Sequence, residues 1–209
     1  MPLQNRVDPW GRLQAVTARG TLLGNRGILH NARKEIITTS ARKGWVTCLL
    51  EFEGRRREVF GAGTYSELFF LDEATAFSAG HRPCAECRRE RYNEFKSAWV
   101  AANPELVRSG NPPIGEIDKV LHAERVDREG RKVIFEGTFG DLPPGTFIEL
   151  DGNAVLVWHR GLLRWFFEGY SRLDESPAAS ASVRVLTPAS VVTVFRAGFS
   201  PGVHVSANS

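Results

Sequence analysis

Residues 69–99 read FFLDEATAFSAGHRPCAECRRERYNEFKSAW, and the local signals in this stretch set the reading of the whole chain. Phe69-Phe70 closes a short apolar run. Asp72 is a good helix N-cap and Glu73 favours a first turn, so a short helix is expected over 73–79, with Gly80 as its terminator. Pro83 keeps the next residues out of helix. From about Ala85 to Ala101 a second helix is expected, because Tyr92, Phe95 and Trp99 recur on one face. Asn103-Pro104 ends it. Between the two helices lie Cys84 and Cys87, spaced C-x-x-C, which puts two sulfurs on one side of a tight turn.

Upstream, Asp8-Pro9, Trp10-Gly11 and Gly24-Asn25 punctuate an irregular arm over residues 1–25. Gly27–His30, Glu35–Thr39 and Trp45–Phe52 read as strands. Glu53-Gly54 is a tight-turn signal, with Arg55–Phe60 as the return strand. These make an antiparallel meander with Cys48 in its longest strand. Downstream, RSGNPPIG at 108–115 is the best linker. Residues 117–126 fit either helix or strand. Lys132–Gly137, Gly145–Leu150, Ala154–His159, Leu163–Phe167 and Val183–Leu186 read as strands. A last helix starts at Pro188 after Thr187 and ends near Gly198. The expectation is an α+β protein of two units. Residues 1–108 form a β-meander with two helices around one metal site. Residues 113–209 form a small β-rich, barrel-like unit with a C-terminal helix.

Composition narrows the class. The 209 residues are 42% hydrophobic and 24% charged, an ordinary globular balance that suits one large domain or two small ones. No apolar run approaches the roughly 18 residues that span a bilayer. The first residues hold no apolar signal core, so the expected compartment is the cytoplasm. Three cysteines make no disulfide framework; in a reducing compartment a C-x-x-C points to metal binding or redox work, and the βαβ context of a thioredoxin-like redox motif is missing here. Residues 1–112 hold 17 Lys+Arg against 12 Asp+Glu, while residues 113–209 hold 10 against 12, so the positive charge goes with the cysteines.

Zinc takes four soft or borderline ligands in a tetrahedron. Cys48, Cys84 and Cys87 supply three. His30, at the end of a strand in the meander of Cys48, is the first choice for the fourth, and His81 is the alternative.

The order of an FF strand, a short helix and Ala79-Gly80-His81-Arg82-Pro83-Cys84-Ala85-Glu86-Cys87-Arg88 resembles the zinc-binding N-terminal domain of the Ada-type DNA methyl-phosphotriester repair proteins. The likeness covers about twenty residues and implies that Cys84 and Cys87 are zinc ligands. That family carries a C-x-x-x-C pair about a dozen residues before the FF strand, and one cysteine of it accepts the methyl group. The corresponding stretch here, about Arg57–Gly63, has no cysteine. Cys48 does not match the accepting position, and no PCHR run follows. The repair activity is therefore not carried over.

The expected function is nucleic-acid binding, to DNA, by the phosphate backbone. The candidate contacts are Arg55, Arg56, Arg57, Arg82, Arg88, Arg89 and Arg91. Trp158, Arg160 and Trp165 add an aromatic platform, which reads equally as barrel core. No P-loop, G-x-S-x-G, H-E-x-x-H or G-x-G-x-x-G is present. Pro83-Cys-x-x-Cys87 matches half of a deaminase signature, but the H-x-E half is missing upstream. An enzyme acting on nucleic acid or a nucleotide, hydrolase-type with the zinc structural, would draw on His122, Glu124, His159 or Glu168, and an adaptor would use the aromatic strand. Glu67, Asp72 and Glu73 read as loop and capping residues.

Overall fold

The computed structural model describes residues 1–54 and 58–208. Arg55, Arg56 and Arg57 lie outside that set. In the first half, β1 (Arg6–Val7), β2 (Leu13–Gln14), β3 (Leu22–Asn25), β4 (Val46–Cys48) and β5 (Leu68–Phe70) precede α1 (Glu73–Ser78), β6 (Arg82–Pro83) and α2 (Arg89–Ala102). The sheet order is β2-β1-β5-β3-β4-β6. It is mixed: β1 runs parallel to β5 and β4 parallel to β6, while the other neighbours are antiparallel. The expected simple meander is therefore replaced by a sheet whose order departs from chain order. The expected strands at 27–30 and 35–39 reduce to one bridge, His30 to Ile36. Glu53 and Gly54 take positive φ of 52° and 66°; of the expected return strand, residues 55–57 lie outside the described residues and Val59–Phe60 lie in a turn.

The local signals around α1 hold. The Thr75 amide donates to Asp72 Oδ1 at 2.8 Å, the N-cap bond that fixes where the helix begins. Gly80 takes φ +81°, and a Cβ there would meet Arg125 Cδ at 2.4 Å, so both backbone and space require glycine.

The second half begins with α3 (Ile114–Arg125), a helix where the sequence left helix and strand open. It continues through β7 (Phe135–Thr138), β8 (Phe147–Leu150), β9 (Asn153–Trp158), β10 (Gly161–Phe166), β11 (Gly169–Leu173) and β12 (Ser182–Val185), then α4 (Ala189–Arg196). Pro188 caps α4 rather than opening its first turn. The six strands form one sheet in the order β11-β10-β9-β8-β12-β7. The barrel expectation is wrong. Among the described residues β11 pairs only with β10 and β7 only with β12, so the sheet stays open.

Both faces of that open sheet are covered, which explains its sequence. Phe147, Leu156 and Leu163 pack with Leu71 and Ala74 of the first half. Their chain neighbours Ile148, Val155 and Leu162 pack on the other face with Val192 of α4. Strands covered on both faces read as continuous apolar runs, not as the alternation of a half-solvated sheet. A further cluster joins Phe77, Phe95 and Trp99 to Ile117, Leu121, Val191, Val194 and Phe195. Trp99 is fully buried, and burying a large side chain of this kind contributes about 3 kcal/mol. No helix among the described residues is long and apolar enough to cross a membrane.

Candidate metal centre

The parallel pair β4–β6 builds the site. Its register sets Val46 beside Arg82 and Thr47 beside Pro83, so Cys48 and Cys84 leave the pair side by side. The Cys84 amide donates to the Thr47 carbonyl at 2.9 Å and continues that alignment. The chain then turns, with Arg88 N donating to Cys84 O at 3.2 Å, and Cys87 comes back to the pair. The three Sγ atoms all lie within 4.8 Å of one another, close enough to hold one metal ion. All three cysteines are free thiols and half-buried.

The thiols polarise one another. Cys84 is held down to about 5, chiefly by a hydrogen bond from the Cys48 thiol, with help from the Glu86 and Cys87 amides against the effect of burial. The Glu86 amide lies 3.4 Å from its sulfur. Cys48 is pushed up by giving its proton to that bond and by burial. Burial raises Cys87 as well. A thiolate is the ligand form of cysteine, and a bound cation replaces the shared protons.

The two expected histidines stand elsewhere. His30 is buried, its Nδ1 2.6 Å from Ser66 Oγ and its ring stacked on Phe60 at 4.6 Å. His81 is buried between Trp45 and Phe70, and its Nε2 accepts from Arg26 Nε at 3.1 Å. Burial, then the Arg26 and Arg125 charges, hold His81 well below its ordinary value, so its ring is neutral. Among the described residues, the ligand-type side chains gathered at the centre are the three cysteines.

Of the expected arginine contacts that lie among the described residues, Arg82, Arg88 and Arg91 are internal. Arg82 is buried against Asp118. Arg88 bonds Thr47 Oγ1 and Glu73 at 2.8 and 2.6 Å. Arg91 bonds both Glu73 oxygens, Glu94 and the Ser200 carbonyl. Arg89 is exposed. Trp165 is 8% exposed and donates to Thr75 Oγ1, so it belongs to the core. Trp158 is half-buried and packs on the same core, while Arg160 is exposed. The enzyme candidates serve separate ends. Glu124 receives Ser190 at the start of α4, His122 meets Arg125, and His159 and Glu168 are exposed.

The sequence reading missed the space beside the cysteines. All three line a cavity of about 840 Å³ together with Arg42, Glu51, Tyr65 and Glu67. Glu67 had no local signal beyond its loop. Its Oε2 accepts from the Phe60 amide at 2.8 Å, and its Oε1 is buried with no hydrogen-bond partner among the described residues. Comparison with protein-family models, curated proteins and solved structures found no match.

Proposed function

We propose that the protein is a zinc protein that binds DNA by its phosphate backbone at the surface around the cysteine centre. Three thiolates are the soft donors that suit zinc, and the resemblance of residues 69–88 to the Ada zinc module supports that ion and that partner. The observation that carries the reading is the position of the exposed cations. Arg42 and Lys43 lead into β4, and Arg89 opens α2, so they flank the two segments that bring the cysteines together. Arg42 also lines the cavity with all three cysteines.

Bound zinc supplies a cross-link between β4 and the 84–87 turn. The chain's own residues do the rest. The Glu73 and Asp118 pairs fix Arg88, Arg91 and Arg82 as the frame. Arg42, Lys43 and Arg89 are then left to neutralise phosphates without reading bases. Phe166, 41% exposed with Arg164 5.1 Å from its ring centre, takes over the stacking role first expected of Trp165.

The test is binding to duplex DNA at two salt concentrations. Affinity should fall with salt at a slope of about 0.9 per phosphate neutralised. The charge reversals Arg42→Glu, Lys43→Glu and Arg89→Glu should each weaken binding for all sequences alike and flatten the slope by about 1. Binding that ignores salt, or that survives all three reversals, would overturn the reading.

A further inference from the structure

Away from the cysteines, two tight turns gather cations around a second cavity of about 310 Å³. In the first, Asp8 Oδ1 accepts from the Arg12 amide at 2.9 Å and Gly11 takes φ +84°. Arg12 is thereby set at the wall, 5.0 Å from the Trp10 ring centre. In the second, residues 127–131 reverse the chain, so Lys132 returns opposite Val126 and beside Arg125. Arg26 and Arg125, each 1% exposed, complete the cationic wall.

These charges are not neutralised from within. Arg26 donates to His81 and to the Gly11 and Thr39 carbonyls. Arg125 donates to the Gly80 and Lys43 carbonyls, and Lys132 to the Ser78 carbonyl. Among the described residues none of the three has an ion pair, and the Arg12 guanidinium has no hydrogen-bond partner. Arg26 Nη2 and Arg125 Nε also lack partners there. Both atoms are themselves buried, so they report surplus charge rather than a point of contact. The acids nearby are mostly taken. Asp118 pairs with Arg82, Asp127 and Glu129 with Arg131, and Glu149 with Trp10 and Arg184. Asp8 alone opposes Arg26 and Lys132.

We propose that this cavity binds a small phosphate monoester, its phosphate held by Arg12 and Lys132 in the field of Arg26 and Arg125. Cations behind low-dielectric walls focus their field into a cavity. A phosphate answers it better than a carboxylate, with up to two charges and three acceptor oxygens. The volume is at the small end of ligand sites and leaves room for a short organic group. Arg26 and Arg125 lie too deep for a duplex backbone to approach, whereas a small anion can enter. This inference rests on neither the metal nor DNA binding.

The experiment titrates inorganic phosphate into the full-length, reduced protein at about pH 6, where Lys132 holds its proton. Chloride keeps the ionic strength constant. Calorimetry should show one saturable site, and the melting temperature should rise with phosphate by mass action. Glycerol phosphate should bind at least as tightly, and acetate more weakly. Arg12→Gln and Lys132→Gln should each weaken phosphate about tenfold, the loss of one charge-assisted hydrogen bond. Arg12 is exposed, so its variant should melt in chloride as wild type does, which separates a lost site from a lost fold. Duplex DNA should neither displace phosphate nor bind the two variants less tightly. Phosphate without a saturable effect, or bound as tightly by both variants as by wild type, would overturn the site. Acetate as tight as phosphate would overturn the ligand class, and displacement by DNA would overturn the small-molecule occupant.

Discussion

Arg82 and Asp118 meet as a two-pronged ion pair, Nε to Oδ1 and Nη2 to Oδ2 both at 2.8 Å. Their side chains are only 8% and 11% exposed. The pair ties β6, one residue before Cys84, to α3 in the second half of the chain. Gly44 lies against it, where a Cβ would come within 2.9 Å of Asp118 Oδ2. Removing one partner of a buried pair leaves a charge uncompensated and costs about 3–5 kcal/mol. Asp118→Asn should therefore lower the unfolding free energy by that amount, read as a lower urea midpoint at unchanged slope. The double change Arg82→Met with Asp118→Leu should recover most of it. A loss below about 1 kcal/mol in the single variant, the scale of a surface ion pair, would mean that the pair is not buried in solution.

Glu73 makes a second such anchor and gives a dependence on acid. It is 5% exposed and binds Arg88 and Arg91, each at 2.6 Å, and the Gly202 amide at 2.9 Å. Burial alone would raise its pKa, but the Arg91 bonds, the Arg88 charge and the Gly202 amide together hold it below the ordinary glutamate value. The folded state thus binds this proton less tightly than the unfolded chain. The resulting stability is complete above about pH 4.3 and is lost as pH falls through the lower folded value. Glu73→Gln should cost about 3 kcal/mol at neutral pH. The gap between wild type and variant should close below about pH 4.3, as read from urea titrations at each pH. A gap that stays constant into acid would show that the charge of Glu73 contributes nothing.

Asp72 joins the opening stretch to the far end of the chain. Beyond its cap to Thr75, its Oδ2 accepts from Tyr170 Oη at 2.7 Å and from the His204 amide at 2.9 Å. A hydrogen bond to a charged group is worth about 1.5–3 kcal/mol. Tyr170→Phe should lose about that much thermal stability without altering metal content. An unchanged melting temperature would contradict the contact.

The cap at Asp72, the stop at Gly80 and the apolar stripe of α2 were legible because each is decided within one or two helical turns. The C-x-x-C spacing was legible for the same reason. The pairing of β4 with β6 was not. It is a parallel contact across thirty-odd residues, and nothing local in Val46–Cys48 records it. His30 looked available because a strand was expected at 27–30, whereas Ser66 and Phe60 enclose it. Arg88 and Arg91 read as a basic surface because a run of arginines looks the same whether or not Glu73 lies across from it. The barrel expectation took short strands and turns as sufficient, when the doubled apolar residues Phe147-Ile148 and Leu162-Leu163 were the mark of a sheet covered on both faces.

The division at 108–113 bears on folding. We propose that the two stretches fold as one cooperative unit, because Phe77, Phe95 and Trp99 on one side of the linker are buried by Ile117, Val191 and Phe195 on the other. Residues 1–108 expressed alone should then show no cooperative unfolding transition, even with zinc present. A sharp calorimetric transition for that fragment would refute shared folding and favour two independent domains.

Lys132 gives the chain an alkaline signature. Its Nζ donates to the Ser78 carbonyl. Burial, then the charges of Arg26 and Arg125, push it down to about 7, with Asp8 opposing. The guanidinium carbons of Arg26 and Arg125, both buried, each lie 3.9 Å from the Trp45 ring centre, and the half-buried Lys132 shares their charge environment. In the unfolded chain a lysine titrates near 10.4. Between about pH 7 and 10 the unfolded state therefore holds a proton that the folded state has released, and stability rises with pH across that window. Below about pH 7 both states are charged and the full penalty of burying the ammonium remains. Lys132→Gln removes the penalty and keeps a hydrogen-bond donor for Ser78. The variant should be more stable than wild type at pH 6, with the difference shrinking steadily and vanishing near pH 10. Melting curves of the two proteins in parallel buffers measure it, and titrations that cancel in the comparison drop out. A difference that does not change with pH would place the Lys132 ammonium in water rather than among the arginines.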